Sequence, residues 1–424
     1  MLGLAPADYD VATDATPDRV SALFRRTAHV GAHFGVVLVK PPPPARPGRD
    51  GPHEDHVIEV ATFRSDGAYS DRRRPDSITF SDAKSDAQRR DFTVNALFLD
   101  PVPAGAQTNP GEPAAAGGTP GSGLPAGPAL RDQIVDFVGG LADLDARVLR
   151  AVGDPDARLA EDHLRALRAV RLSARLGFAI EPRTAAAISA HARDLGGVSP
   201  ERIGDEMRRI LGHPTRAAAV ASLEKLGLDA PMLGPRVIRA KVSGDVDGTA
   251  ARLASLAPQA GVGECLAAIA LDRGDVTGPS GVQPTLTRWR RTLCLSNDER
   301  EAARRVLESY FTLRQEFMIA GVARQKRWAV RGGFAAAMRI LRVEDALLAG
   351  VIEKRVEELA RTAAGLAPEP LVTGDDLIGI GLKPGPGFAG LLARLYDAQL
   401  EDLFVTREVG LGLCLLYTSD AADE

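Results

Sequence analysis

The rhythm of apolar and polar positions changes once along the chain. Up to about residue 150, β-branched or aromatic runs are bounded by turn residues. Val36 to Lys40, Val57 to Phe63, Thr93 to Leu99 and Ile134 to Phe137 each predict a short strand. From about residue 153 onward, Ala- and Leu-rich segments with helical spacing take over and strand signals are few, which predicts a domain boundary there. Leu167, Val170 and Ala174 form an apolar stripe on one side of a predicted helix, with Asp162 and Arg165 on roughly the opposite side. Two stretches interrupt the first region. Pro41 to Pro52 contains four consecutive prolines, and Pro101 to Pro128 is a Pro, Gly and Ala tract. The first predicts an extended excursion between two strands and the second cannot bury enough apolar surface to fold, so both are expected to be mobile loops.

Composition narrows the class without naming a function. At 424 residues with 45% hydrophobic and 25% charged, the chain has room for two or three domains with real cores. No run is long and apolar enough for a transmembrane span and no signal peptide precedes the first motif, so no membrane partner and a cytoplasmic location are expected. Cys265, Cys294 and Cys414 are scattered without paired metal spacing, which fits a reducing compartment and core thiols. His53 and His56 are three apart in a loop-like stretch without the HExxH arrangement, which reads as a solvated pair. A net charge of −4 excludes indiscriminate binding to nucleic acid. Any RNA contact must be local. Glu161 to Arg216 holds ten arginines against seven acids, although arginine is abundant throughout.

Candidate chemistry concentrates in four places. Arg89 to Leu97 reads RRDFTVNAL, two guanidiniums and a carboxylate before a β-type run; arginine forks match phosphate oxygens, and Asp91 can accept from ribose hydroxyls. Asp8 and Asp10 are two apart, so in a strand they share a face and offer hard oxygen ligands suited to Mg²⁺. The same D-x-D spacing is common in exposed loops, and Pro6 favours a turn. Glu59 stands among strand residues, where burial without a partner would be costly and a metal would supply one. An outward-facing edge strand is the bland alternative. Glu161, Asp162 and Arg165 open a predicted helix, and the last two, three apart, share a face.

The ordered set LGLAPADYDVAT, HFGVVLV, EVATFRSDGAYSDRRRPD, RRDFTVNAL, IVDFVGGLADL, RAVGDPDARLAEDHLRALRAVRLSARLGF and VSPERI resembles the class II tRNA nucleotidyltransferases and the related bacterial poly(A) polymerases, from residue 3 to about residue 215. The resemblance implies an α+β fold: a polymerase-β-like nucleotidyltransferase palm with a small mixed sheet, followed by an all-α neck, body and tail. It implies a head over 1–150, a neck with the nucleotide-selecting helix over 151–216, and an RNA-binding body and tail over 217–413. The family's GGxVRD turn would precede Met1, so the N-terminus reads as truncated, and Cys414 to Glu424 (CLLYTSDAADE) resembles a translated library adapter.

By the same resemblance, Asp8, Asp10 and Glu59 are the catalytic carboxylates, with Mg²⁺ on Asp8 and Asp10. Arg90 and Asp91 lie at the sugar and phosphates, Asp162 and Arg165 at the edge of the incoming base, and Arg168 and Arg171 near the phosphates. Asp136, Gly139, Gly140 and Asp143 resemble the loop joining palm to neck, and Thr373 to Phe388 a C-terminal helix-turn-helix element. The implied activity is CCA addition to a tRNA 3′ end from CTP and ATP, with no DNA substrate. Poly(A) synthesis, or addition of only A or only CC, shares every motif quoted. A catalytically inactive RNA-binding fragment is the alternative of another class.

Overall fold

In the computed structural model, residues 2–3, 10–29, 35–40, 57–67, 75–100, 131–235, 250–385 and 387–419 are described. Asp8, the His53 and His56 pair, the two Pro-rich stretches and residues 68–74 lie outside them. The chain divides into two compact units, Met1–Val198 and Ser199–Glu424.

In the first unit, β1 (Val11–Thr13), β2 (Thr27–His29), β3 (Val36–Val39) and β4 (Ile58–Thr62) make one mixed sheet in the order β1-β4-β3-β2. β1 runs parallel to β4, while β3 is antiparallel to both β4 and β2. Helix α1 (Pro17–Leu23), started by Pro17, lays Val20 on Val37, Val39 and Val60 to form this unit's small valine core. Beyond the sheet come β5 (Arg64–Asp66), β6 (Ile78–Phe80) and α2 (Ala83–Gln88), whose N-terminus is capped by Asp82 accepting from Ser85 N at 2.8 Å.

The Thr93 to Leu99 run is only half a strand. Thr93–Asn95 forms a 3-10 turn and β7 is limited to Leu97–Leu99, paired with β8 (Ile134–Asp136). The turn wins because the preceding residues are drawn to another segment: Phe92 bridges Ala151, and Thr93 N donates to Arg150 O at 3.0 Å. After β8, the Asp136 carboxylate accepts from the amides of Val138, Gly139, Gly140 and Leu141 at 2.9–3.1 Å, opening α3 (Gly140–Ala146). Burial pushes the Asp136 carboxyl up, and these four amides outweigh it, holding it below the usual range. Gly139 takes φ +84°, which serves the turn.

Gly140 is needed for a different reason. A Cβ there would lie 2.2 Å from Thr93 O, so α3 presses directly on the 3-10 turn. Gly140→Ala is therefore expected to cost about 1–3 kcal/mol, because the obstacle is backbone. Urea unfolding checks this; a wild-type midpoint would show that the turn yields freely.

The unit closes with β9 (Val148–Leu149), α4 (Pro155–Glu161), α5 (Leu164–Leu176), β10 (Ala179–Ile180) and α6 (Pro182–Ala190), with β9 and β10 parallel. The second unit is helical among the described residues. The helix Asn297–Gln315, started by a Ser296–Glu299 capping box, packs against Val262–Asp272 and Phe334–Glu344. Leu266, Trp289, Leu307 and Ile340 are fully buried there, and Trp289 Nε1 donates to Leu233 O at 2.9 Å. Thr373 to Phe388 forms a short helix, Gly374–Gly379, and a turn leading into Phe388–Leu400. Cys414 is buried against Leu391, Leu395 and Phe404 within the helix Arg407–Ser419, and Cys265 is also buried. Cys294 departs from the expected core thiol: it is an exposed helix C-cap at φ +49°.

Candidate active site

The carboxylate end of the site is set by strand register. Val11 pairs with Val60, so continuing one residue back places Asp10 level with Glu59 on the neighbouring strand. Glu59 is exposed, whereas Val60 turns into the valine core. The expectation of a costly buried carboxylate is thus corrected, because strand alternation sends Glu59 to the sheet's other face. It is not an edge residue either, since β4 lies between β1 and β3. Asp10 sits one residue before β1 and is exposed. Two exposed carboxylates on adjacent strands are a donor set that fits a hard divalent cation.

The RRD cluster is organised by a residue that the motif reading passed over. Asp86, only 2% exposed, accepts from Arg89 Nε and Nη2 at 2.9 and 2.6 Å, and from Arg90 Nε and Nη2 at 3.2 and 3.1 Å. Arg90 Nη1 also donates to Asn95 O at 2.9 Å, and its guanidinium lies 4.7 Å from the Phe98 ring centroid. Asp91 is buried and engaged on both oxygens. Oδ1 accepts from Phe92 N at 2.9 Å and Asn95 Nδ2 at 3.2 Å, while Oδ2 accepts from Arg168 Nε and Nη2 at 2.8 and 2.6 Å. Arg171 follows three residues after Arg168 on α5 and is half-buried.

Asp162 and Arg165 do not share one helix. α4 ends at Glu161, Asp162 is extended at φ −153° and ψ 104°, and α5 begins at Leu164. The break has a local cause: the Asp162 carboxylate accepts from Leu164 N at 3.0 Å, starting the second helix as aspartate does at a helix N-terminus. Arg165 turns back, donating to Arg158 O at 2.7 Å and to the Glu161 carboxylate. Arg158 in turn reaches Glu161 at 2.9 Å, Gln88 O at 2.9 Å, Arg89 O at 3.2 Å and Val152 O at 3.3 Å. Asp66, Ser85, Gln88, Arg89, Arg158 and Glu161 line a cavity of about 260 Å³ beside this junction.

The missed residues carried a signal. Asp86, on α2, precedes Arg89 and Arg90, just past the helix end, by three and four positions, the spacing of helical ion pairs, and Arg158 precedes Glu161 by three.

Comparison with known proteins resolves the family. The Poly A polymerase head domain matches residues 1–109, and the probable RNA and SrmB-binding site of polymerase A matches residues 177–238. A CCA-adding enzyme of Geobacillus kaustophilus is 32% identical over 411 residues, covering 95% of this chain and 86% of that protein. The chain belongs to the CCA-adding enzyme family. A second CCA-adding enzyme, from Geobacillus thermodenitrificans, is 37% identical over 235 residues, 55% of this chain; here, as with several such relatives, the match spans about half of the relative's length, 48%. The crystal structure of the Bacillus stearothermophilus CCA-adding enzyme in complex with CTP superposes with a TM-score of 0.67 at 24% identity, covering 100% of this chain and 92% of that one. The Thermotoga maritima CCA-adding enzyme complexed with tRNA gives 0.63 at 15%, covering 98% and 88%. These structural matches establish the CCA-adding enzyme fold, a small mixed-sheet palm with a helical body, as the sequence resemblance implied.

Proposed function

We propose that this chain extends the 3′ end of tRNA lacking its terminal CCA, adding C, C and A from CTP and ATP with release of pyrophosphate. The observation that carries the reading is the α4–α5 junction. There Asp162 and Arg165 stand beside Arg168, whose guanidinium is locked to Asp91 of the RRD cluster. A base-reading pair and a phosphate-reading arginine are thereby fixed in one unit.

Asp10 and Glu59 would hold Mg²⁺, together with Asp8, which lies outside the described residues. When bound, the ions supply charge stabilisation to the reacting phosphate and the departing pyrophosphate. Asp91 acts on the nucleotide through Arg168 and is a positioning residue, while Arg89 and Arg90 shape the pocket from Asp86. Arg171 extends the basic face of α5 toward the phosphates. Head, neck and body are proposed to divide as 1–150, 151–216 and 217–413. Among the described residues no helix is long and apolar enough to cross a membrane. The cytoplasm, where tRNA meets CTP and ATP, is the proposed compartment.

The test uses tRNA ending before CCA, with CTP alone, ATP alone and both, and products resolved at single-nucleotide length. Two C residues from CTP alone and CCA from both are expected. Long A tails without CTP use would favour a poly(A) polymerase, A only after CC an A-adding specialist, arrest at CC with both nucleotides a CC-adding one, and RNA binding without incorporation an inactive fragment. In the same assay, Asp162→Ala and Arg165→Ala are expected to lose about 1–3 kcal/mol of discrimination among CTP, ATP, UTP and GTP, the scale of a base-edge contact. Unchanged selectivity in both would leave the pair a purely structural role.

A further inference from the structure

Beyond the residues assigned to the nucleotide, His163, His191 and Asp194 each bring one ligand atom within 4.8 Å of the others. They arrive from separate places in the first unit. His163 immediately precedes α5, His191 caps the C-terminus of α6, and Asp194 lies in the 3-10 segment Ala192–Gly197. The two imidazoles stack with centroids 6.1 Å apart and planes at 27°. His163 is buried while Asp194 is exposed, so the cluster has a buried end and an open side. His191 uses both nitrogens: Nδ1 is 2.9 Å from Asp194 Oδ2, and Nε2 is 3.2 Å from Asp156 Oδ1.

We propose that this cluster is a binding site for one divalent transition-metal ion of the Zn²⁺ class, ligated by His163, His191 and Asp194. Two imidazoles with one carboxylate are borderline donors, which suit Zn²⁺, Co²⁺ or Ni²⁺ and not Mg²⁺, whose preferred ligands are all oxygen. At metal–ligand distances of about 2.0–2.2 Å, neighbouring ligands of a tetrahedral ion lie roughly 3.3–3.6 Å apart. The His191–Asp194 pair, at 2.9 Å, is slightly closer than that, and all the ligand atoms lie within 4.8 Å of one another. Asp156, facing the other His191 nitrogen, is placed as the outer carboxylate that fixes a metal-bound imidazole. A cation is also favoured where His191 ends α6, because the helix dipole places negative potential at that end.

Because His163 follows Asp162 directly, an ion here ties the α4–α5 break to the end of α6. The effect of that tie on base selection rests on the proposed function; the metal site does not.

The full chain, stripped with chelator, is titrated with Zn²⁺ and with Co²⁺ in excess Mg²⁺. One Co²⁺ per chain, with the visible absorption of a low-symmetry site, and a raised thermal midpoint with Zn²⁺ are expected. Asp194→Asn, at an exposed position, and His191→Gln should each weaken Co²⁺ binding at least about tenfold, and Asp156→Asn by about 10–100-fold. His53→Gln with His56→Gln should leave it unchanged. Unaltered affinity in both Asp194→Asn and His191→Gln would overturn the site, as would loss of binding in the His53, His56 double variant. Retained Co²⁺ binding in a chain that adds no nucleotide would instead sink the proposed activity and leave the metal site standing.

Discussion

Asp10→Ala and Glu59→Ala are each expected to lower Mg²⁺-dependent nucleotide incorporation about a thousandfold, with melting and tRNA affinity close to wild type. The size follows from the several kcal/mol that a metal contributes at a reacting phosphate, each 1.36 kcal/mol being tenfold in rate. The sparing of the fold follows from exposure. Both side chains are solvent-facing, and the neighbouring Val60 keeps the valine core intact on the sheet's other face. Single-turnover incorporation on tRNA lacking CCA, measured beside tRNA affinity, decides it. Substantial turnover by either variant would remove that carboxylate from the chemistry.

The second large effect is expected at Asp91. Its carboxylate holds two guanidinium contacts from Arg168, the Phe92 amide and the Asn95 side chain, so Asp91→Ala leaves the amide and a half-buried arginine without their acceptor. Hydrogen bonds to a charged group are worth about 1.5–3 kcal/mol each. With Arg168 about one-third exposed, a total of about 2–3 kcal/mol is the reasonable expectation after solvent screening. Asp91→Asn keeps the amide contact and should lose about half. Urea unfolding measures both, and KM for CTP and ATP should rise as Arg168 loses its orientation. If Asp91→Ala unfolds at the wild-type midpoint, the pair does not lock the cluster.

Strand positions in the palm were legible because β-branched runs between turn residues announce themselves, as at Val36–Val39 and Ile58–Thr62. Thr93 to Leu99 misled for a tertiary reason: pairing of Phe92 and Thr93 with Arg150 and Ala151, fifty-odd residues away, forces a turn that local propensity does not signal. The chemistry-bearing residue types at the site were readable from motifs, but their mutual geometry was not. EDHLR has the spacing of one helix face, and only the Asp162 carboxylate reaching Leu164 N reveals that two helices meet there. Glu59 shows the opposite failure. The burial of a strand residue depends on which face of the strand it occupies, and here register turns Glu59 outward.

Arg158 has a consequence for how this site can diverge in sequence. Its guanidinium donates to the carbonyl oxygens of Gln88, Arg89 and Val152, acceptors that every residue type carries. Exchanges at positions 88, 89 and 152 therefore leave the clamp intact, and no partner mutation can compensate for change at 158, where lysine lacks the planar fork. Asp91 and Arg168 are bound side chain to side chain and can drift only together. Among homologous sequences, position 158 should be invariant yet show no covariation with positions 88, 89 and 152, whereas 91 and 168 should change as a pair or not at all.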